Sequence, residues 1–124
     1  MATTFGPYTP VRQAGNLVFV SGQVGVDPVS KAAAADMTEQ TKQTLRNLAA
    51  VLADNGLTMQ DVIKTTVFLT DMDYFSAMNE VYEQAFSALR PARSAVAVRE
   101  LPRVAGGTKL LVEIEAVAYK EAAV

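Results

Sequence analysis

Two segments with helical periodicity interrupt a series of short strand-type runs, and this order limits the folds open to the chain. Runs rich in β-branched residues predict strands over residues 11–13, 17–24, 61–70, 92–99 and 110–119. The order β-β-α-β-α-β-β lacks strict alternation, which favours an α+β fold with one mixed sheet packed under two helices. The 124 residues contain no linker or internal repeat, so we expect a single domain over residues 1–124.

Each helix-type segment carries its own boundary signals. In the first, Asp36 is a good N-cap, Glu39 follows three residues later to complete a capping box, and Asn55-Gly56 provides the stop. In the second, Asp71 or Asp73 can serve as the cap. Apolar residues at helical spacing predict that one face of this second helix is buried, namely Phe75, Met78, Tyr82, Ala85 and Phe86.

The composition excludes several kinds of chemistry. Cysteine and histidine are both absent, which removes disulfides, thiol nucleophiles, the commonest metal ligand and the commonest general base near neutral pH. An enzyme with this sequence must work with carboxylates, hydroxyls, amides, Arg, Lys or bound water. Zinc is not expected, and no acidic cluster suggests a magnesium site.

Charge and hydropathy predict a soluble protein without a nucleic-acid partner. The net charge of −2 does not suggest the basic face that such a partner requires. The opening residues MATTFGPYTPVRQ lack the pattern of a secretory leader, and no apolar stretch approaches the ~20 residues of a membrane span. We therefore expect a cytoplasmic protein. Half of the residues are hydrophobic, which favours an oligomer for a domain of this size.

The segment RPARSAVAVRELP places an arginine where a strand is expected to enter a core. Arg93 lies among small side chains, and a buried guanidinium is costly unless it is paired. Two interpretations are open. The first is a structural ion pair or a surface arginine, which spacing alone favours. The second is a receptor for the carboxylate of a substrate.

The last predicted strand, with the sequence LLVEIEAVAY, carries a candidate neighbour for this arginine. Glu113 and Glu115 share one face of that strand, while Val112 and Ile114 share the other. If the last two strands form a hairpin, as we expect, Glu113 comes near Arg93. Alternatively, the carboxylates face solvent or neutralise an arginine, an interpretation that is stronger for Glu115.

Three further positions are weaker candidates on their own. Ser21-Gly22 ends a strand with a pair that lets another backbone or a ligand approach closely, although a plain strand-to-turn break explains it equally well. Asn79 lies in mid-helix, where such residues are usually solvated, and Tyr8 follows a Gly-Pro turn, where packing is the usual role. The AGG sequence at 105–107 lacks the context of a nucleotide-binding loop and predicts a flexible hairpin connection.

Taken together, these motifs resemble a known family. GPY, VFVSGQV, DVIKTTVFLTDMDYFSAMNEVY, RPARSAVAVRELP and VEIEAVA stand in the order found in the Rid family of reactive-intermediate deaminases, also called YjgF. The resemblance extends from Gly6 to Ala118, nearly the whole chain. PARS, LP and VEIEA are its most specific parts.

The resemblance implies a homotrimer with a chorismate-mutase-like fold and with clefts between neighbouring subunits. Deaminases of this family hydrolyse 2-imino or 2-aminoacrylate acids to 2-keto acids and ammonia without a cofactor, which removes reactive metabolites before they cause damage. By motif, Arg93 in PARS pairs with the carboxylate of the small-molecule substrate, and Glu113 in VEIE places the attacking water. Tyr8 in GPY and Ser21 in SGQ match residues of the catalytic pocket.

The remaining substrate-binding positions implied by the resemblance are Gly22, Asn79 and Ala95. Gly22 offers backbone contact, and Asn79 in MNEVY matches a pocket asparagine. Ala95 departs from the family pattern, because many relatives carry cysteine two residues after the arginine; its main-chain groups persist, but any thiol role is lost. The connection over residues 103–109 is longer than the usual turn, and we expect a larger hairpin at the cleft rim or the trimer surface.

Two other functions are compatible with the sequence. A non-catalytic trimeric regulator would use Arg93 to hold a keto or amino acid and would not require Glu113. A nuclease or translation-inhibitor activity, claimed for some relatives, is disfavoured by the acidic charge balance and by the absence of histidine.

Overall fold

Seven main elements follow one another as predicted in the computed structural model, which describes residues 4–121. The fold is α+β, with one mixed sheet under two helices, and the order β-β-α-β-α-β-β is confirmed. The elements are β1 (Val11–Ala14), β2 (Leu17–Val24), α1 (Met37–Asp54), β3 (Val62–Leu69), α2 (Phe75–Ala85), β4 (Ala92–Ala97) and β5 (Val112–Tyr119), with short 3-10 turns at Met59–Asp61 and Met72–Tyr74.

The strands pair in the order β1-β2-β5-β3-β4, so the last strand of the chain lies in the middle of the sheet. β4 runs parallel to β3, and the other neighbouring strands are antiparallel. α2 forms the crossover that a parallel pair requires. The expected hairpin between the last two strands is wrong, because β5 enters between β2 and β3, where both edges of its backbone are hydrogen-bonded.

Asp36 begins α1 by accepting a hydrogen bond from the backbone N–H of Glu39 at 2.7 Å. This hydrogen bond is the Asp36 half of the predicted capping box and is confirmed. The Glu39 half is wrong, because the Glu39 carboxylate lies 3.2 Å from Lys42 Nζ and accepts no hydrogen bond from the N–H of Asp36. Asp71 accepts from the N–H of Asp73 at 2.8 Å and caps the 3-10 turn that leads into α2. Within residues 4–121, neither helix combines the length and apolarity that a membrane span demands.

Side-chain alternation gives the sheet one face against the two helices and one face away from them, here called the open face. The main core lies on the helix side, where β5 contributes four buried residues, Val112, Ile114, Ala116 and Ala118. On the open face, Phe19 pairs with Val117, and Leu17 pairs with Tyr119. Phe19 and Tyr119 are 45% and 46% exposed, so the open face presents apolar side chains.

Residues 98–111 cross one end of the sheet and close a second, smaller core, made of Val24, Val26, Ala105 and Leu110. The buried side chain of Gln40 ties this connection to α1. Its Nε2 donates to the carbonyl oxygens of Ala34 and Lys109 at 2.8 and 2.9 Å, and its Oε1 accepts from the N–H of Leu111 at 2.8 Å. The larger hairpin expected here is wrong, because β4 and β5 are not neighbours in the sheet. The connection between them packs over the end of β2 instead.

Candidate active site

Arg93 lies on β4, on the side of the sheet that faces α2. Its cross-strand neighbour on β3 is the buried Thr65. The guanidinium Nη1 donates a hydrogen bond to Asn79 Oδ1 at 2.7 Å and lies 4.0 Å from Met78 Sδ. The side chain is half-buried, so β4 and α2 together hold it at the rim of the core.

Two aromatic rings of α2 lie against the same guanidinium. Arg93 Cζ is 4.8 Å from the centroid of the Tyr82 ring and 5.5 Å from that of Phe75, both within the range of cation–π attraction. Phe75, Asn79 and Tyr82 are spaced i, i+4 and i+7, so one stripe of the helix supplies all three contacts. Burial raises the pKa of Tyr82, although its hydrogen bond with Thr65 and the charge of Arg93 act in the opposite direction. The phenol therefore stays neutral at physiological pH.

No protein carboxylate neutralises Arg93 among residues 4–121. The ion pairs in this part of the chain are Lys42–Glu39, Arg90–Glu83 and Arg103–Glu100. The interpretation of Arg93 as a structural ion pair is therefore wrong within these residues. A guanidinium held by neutral partners in a half-buried place can accept an anion with a planar, bidentate geometry.

Ala95 lies two residues beyond Arg93 and on the same face of β4. It is partly buried and packs against the main core. We call Phe75, Asn79, Tyr82, Arg93 and Ala95 the arginine half-site. The motifs in the sequence pointed to Arg93, Asn79 and Ala95. The periodicity of the second helix assigned Phe75 and Tyr82 to its buried face but did not indicate their contact with a cation.

Glu113 lies on the opposite side of the sheet from Arg93. Its cross-strand neighbours are Val24 on β2 and Phe68 on β3, and its side chain points to the open face. Strand geometry separates the Cα atoms of Glu113 and Arg93 by about 14 Å, with β3 between their strands. The expectation that a hairpin brings them together within one chain is wrong. Arg93 pairs with Thr65 and Glu113 pairs with Phe68, three residues further along β3, so the two side chains also point to opposite faces of the sheet.

A β-bulge at Ser21 and Gly22 makes room for the Glu113 carboxylate. The pairing of β2 with β5 shifts register between Val20 and Gln23. A Cβ atom added to Gly22 would lie 2.8 Å from Glu113 Cδ and would also contact Oε2, closer than atoms can pack. The lack of a side chain at Gly22 therefore leaves the space that the Glu113 carboxylate occupies. The backbone contact implied by the family resemblance stays a prediction.

The surroundings of Glu113 favour its protonated form. Burial of the half-buried carboxyl raises the pKa of Glu113, and the neighbouring negative charge of Glu115 raises it further. The carboxyl therefore exchanges its proton at a higher pH than an ordinary glutamate. This is a property that general acid–base catalysis uses.

Ser21 and Tyr8 lie close to one another on the same side of the sheet as Glu113. The Ser21 hydroxyl donates to the carbonyl oxygen of Thr9 at 2.7 Å, and the exposed Tyr8 hydroxyl accepts from the N–H of Phe5 at 3.2 Å. Both residues line a recess of 570 Å³ on the open face, which Glu115 also lines. We call Tyr8, Ser21, Gly22 and Glu113 the glutamate half-site.

The seven residues predicted for the site thus fall into two groups on opposite sides of one sheet. The structure brings Arg93, Asn79 and Ala95 together on the helix side. Around the bulge of β2 it brings Gly22 against Glu113, while Ser21 and Tyr8 line the recess beside them. In the part of the chain from residue 4 to residue 121, acidic side chains form no cluster able to hold a metal ion. The chemistry available consists of a fixed cation, a protonatable carboxyl group and hydroxyl groups.

Comparison with known proteins places this geometry in a family. Residues 1–120 match the family model described as endoribonuclease L-PSP. A RutC family protein of Pyrococcus horikoshii is 45% identical over 117 residues, which cover 94% of this chain and 89% of that protein. A 2-iminobutanoate/2-iminopropanoate deaminase of Salmonella typhimurium is 40% identical over 118 residues, with coverage of 93% and 88%.

A solved structure shows the same architecture. The crystal structure of Escherichia coli TdcF with bound serine superposes with a TM-score of 0.88 at 38% sequence identity, covering 97% of this chain and 93% of that chain. The five-stranded sheet and the two helices described above are therefore those of this group of structures.

We predict that Gly22→Ala leaves the fold intact and displaces the Glu113 carboxylate. The added methyl group overlaps the end of a flexible side chain rather than a backbone segment, so the side chain can move. Thermal unfolding should show only a small change in Tm, whereas the ¹³C resonance of the Glu113 carboxyl should shift in an NMR spectrum. Gly107→Ala is the control, because an added Cβ there has no atom of the described residues within 4 Å. An unchanged Glu113 resonance in Gly22→Ala would contradict the contact.

We also predict that Glu113 titrates above the ordinary glutamate value of 4.5. Since the pKa is raised, the folded state binds more protons than the unfolded state between the two pKa values. The contribution of Glu113 to the free energy of unfolding therefore falls as pH rises through that interval. A ¹³C NMR titration of the Glu113 carboxyl measures the midpoint directly. In Glu115→Gln the midpoint should move down, because a like charge is removed, and a midpoint at or below 4.5 in the parent protein would contradict the effect of burial.

Proposed function

The chain belongs to the endoribonuclease L-PSP family, also called the YjgF or Rid family, and on that premise we propose that it hydrolyses reactive 2-imino and 2-aminoacrylate acids to 2-keto acids and ammonia. The proposed substrates share a carboxylate next to a carbon–nitrogen double bond or its enamine form. Residues 1–124 are proposed to act as one domain in this reaction.

The observation that carries the proposal is the setting of Arg93. Its charge is held between two rings and an amide oxygen, and no carboxylate of residues 4–121 pairs with it. A substrate carboxylate supplies the missing anion and fits the planar fork of the guanidinium. The substrate is thereby fixed with its adjacent imine carbon in a constant position.

The reaction needs one water molecule and movements of protons. The enamine 2-aminoacrylate becomes the imine when a proton reaches its terminal carbon and one leaves its nitrogen. The water oxygen then bonds to the imine carbon, Glu113 accepts a proton from that water, and the nitrogen gains protons. The hydroxyl group formed on that carbon gives up its remaining proton to the nitrogen as the C–N bond breaks. Ammonia leaves, and the carbon keeps its oxygen as the carbonyl group of the 2-keto acid.

Glu113 is suited to both halves of this proton transfer. Burial and the charge of Glu115 raise its pKa, so that its basic form takes a proton from water more readily than an ordinary glutamate does. The same shift leaves its acid form able to return that proton to the departing nitrogen. The hydroxyl groups of Ser21 and Tyr8 lie on the same side of the sheet and are proposed to complete the pocket.

We further propose that the chain forms a homotrimer in which the arginine half-site of one protomer meets the glutamate half-site of the next. Within one chain the two half-sites lie on opposite sides of the sheet, which supports a site shared between protomers. The open face exposes large apolar side chains, including Leu17 at 37% and Val96 at 43%, and such surface is typical of an interface. β4 lies at the edge of the sheet, so Arg93 is accessible to a neighbouring copy.

We predict that Arg93→Ala abolishes deaminase activity and leaves the protein folded. Loss of a carboxylate anchor at a desolvated site typically costs ~2–5 kcal/mol. Arg93→Lys should be nearly as inactive, because a point ammonium does not reproduce the planar fork. The measurement is keto-acid release from freshly generated 2-aminoacrylate, with circular dichroism to verify folding. Arg90→Ala, at an exposed ion pair, is the control. Retention of most activity by Arg93→Lys would contradict bidentate binding.

We predict that Glu113→Gln binds pyruvate like the parent but releases ammonia roughly 10²–10⁴-fold more slowly, the usual effect of a lost general base. Glutamine is nearly isosteric, so the carboxylate-binding side of the site should persist. Calorimetry measures pyruvate binding, and stopped-flow absorbance measures imine hydrolysis. Glu115→Gln controls for the loss of a charge. It removes only the smaller of the two causes that raise the pKa of Glu113, so it should slow hydrolysis far less than Glu113→Gln does.

Two outcomes of this experiment would reject parts of the proposal. Equal hydrolysis by the parent and Glu113→Gln would show that Glu113 does not act on the water. Pyruvate binding by both proteins without hydrolysis by either would favour a ligand-binding regulator over an enzyme.

A further inference from the structure

A pair of hydroxyl groups is buried beside Arg93. The Tyr82 hydroxyl and Thr65 Oγ1 are 2.7 Å apart, and the two residues are 6% and 0% exposed. Hydroxyl groups in a core are costly unless they are hydrogen-bonded. Phenylalanine and valine have nearly the same shapes as tyrosine and threonine and do not have that requirement. Packing alone therefore does not call for this pair.

The two hydroxyl-bearing residues link β3 and α2, the two elements next to Arg93. Thr65 on β3 is the cross-strand partner of Arg93 on β4, and both side chains point toward α2. Tyr82 on α2 contacts Thr65 through its hydroxyl and contacts the guanidinium through its ring, at 4.8 Å. The Tyr82 ring also packs against the Phe86 ring, with centroids 4.7 Å apart and an interplanar angle of 42°.

The hydrogen bond between the Tyr82 hydroxyl and Thr65 Oγ1 restrains the tilt of the Tyr82 ring. A phenylalanine ring at this position would be held only by packing, which restrains its tilt less than a hydrogen bond at the ring's outer end. The face of the Tyr82 ring restrains the guanidinium from one side. The hydrogen bond to Asn79 fixes the position of its Nη1 atom. The plane of the guanidinium is then determined before any anion arrives.

We propose that Thr65 and Tyr82 are positioning residues that hold the Arg93 guanidinium in the plane in which it receives a carboxylate. This inference rests on the proposed function, in which Arg93 binds the substrate carboxylate. A receptor arranged in advance binds more tightly, because less conformational freedom is lost when the ligand arrives. Neither Thr65 nor the Tyr82 hydroxyl needs to touch the substrate for this effect.

The double variant Thr65→Val/Tyr82→Phe tests the pair. It removes both hydroxyls together and keeps the shapes, so neither partner is left unsatisfied and stability should change little. Each single variant leaves one buried hydroxyl without its partner and serves only as a comparison. Thr44→Val is the matched control: it removes another buried threonine hydroxyl, which donates to the carbonyl oxygen of Gln40 at 2.8 Å on α1.

In the double variant, KM for the imine acid and the Kd for pyruvate should rise about tenfold, because the Arg93 guanidinium loses more conformational freedom when it binds the carboxylate. kcat should stay within about twofold of the parent, because Arg93 is still present and orients the substrate once it is bound. Thr44→Val should leave all three constants unchanged. A fall in kcat at constant KM and constant Kd is the pattern of a partly unfolded enzyme and would overturn the proposal.

A spectroscopic measurement keeps this test independent of the proposed reaction. The rings of Phe75 and Tyr82 lie 5.5 and 4.8 Å from the Arg93 guanidinium, so we expect their ring currents to shift its ¹H–¹⁵N resonances in a way that depends on its plane. In the double variant these resonances should move and broaden, whether or not the parent hydrolyses imines. Unchanged resonances would overturn the positioning role, whereas absence of hydrolysis and of pyruvate binding in the parent, with moved resonances, would reject only the proposed function.

Discussion

The two-residue alternation of side chains along a strand places Arg93 and Glu113 on opposite sides of one sheet, and the rest of the candidate site depends on this separation. The parallel pairing of β4 with β3 turns Arg93 toward α2, where one stripe of the helix holds it. A slip of β4 by one residue would turn Arg93 to the open face and bring Ser94 toward the helix. The register of this edge strand is therefore as important to the site as the arginine itself.

The two half-sites differ in their electrostatic character. Around Arg93 the partners are neutral: an amide oxygen, two aromatic rings and a thioether. They orient the cation without cancelling its charge. Around Glu113, burial and a second carboxylate weaken the negative charge by raising the pKa. One half-site thus offers a permanent cation and the other a carboxyl group that exchanges its proton readily, and a reaction of a carboxylate substrate with water uses both.

Much of this arrangement is predictable from the sequence. The β-branched runs predicted the strands, and Asp36 predicted the start of the first helix. The alternation in LLVEIEAVAY correctly placed Glu113 and Glu115 on the face opposite to the buried Val112 and Ile114. Strand order was not predictable in the same way, because pairing between distant segments leaves no local pattern. The position of β5 in the middle of the sheet, and with it the distance between Glu113 and Arg93, followed from that pairing. Helical periodicity likewise does not distinguish a Tyr82 that only packs from one that also contacts a cation.

The most direct test of a site shared between protomers is to mix two inactive variants. Arg93→Ala chains keep an intact glutamate half-site, and Glu113→Gln chains keep an intact arginine half-site. The two variants are unfolded together and refolded, and native mass spectrometry measures whether mixed assemblies form. In the proposed trimer, random association should restore about a quarter of the sites, and with them about a quarter of the parent activity. Mixed trimers that remain as inactive as either variant alone would contradict a site built from Arg93 of one protomer and Glu113 of its neighbour.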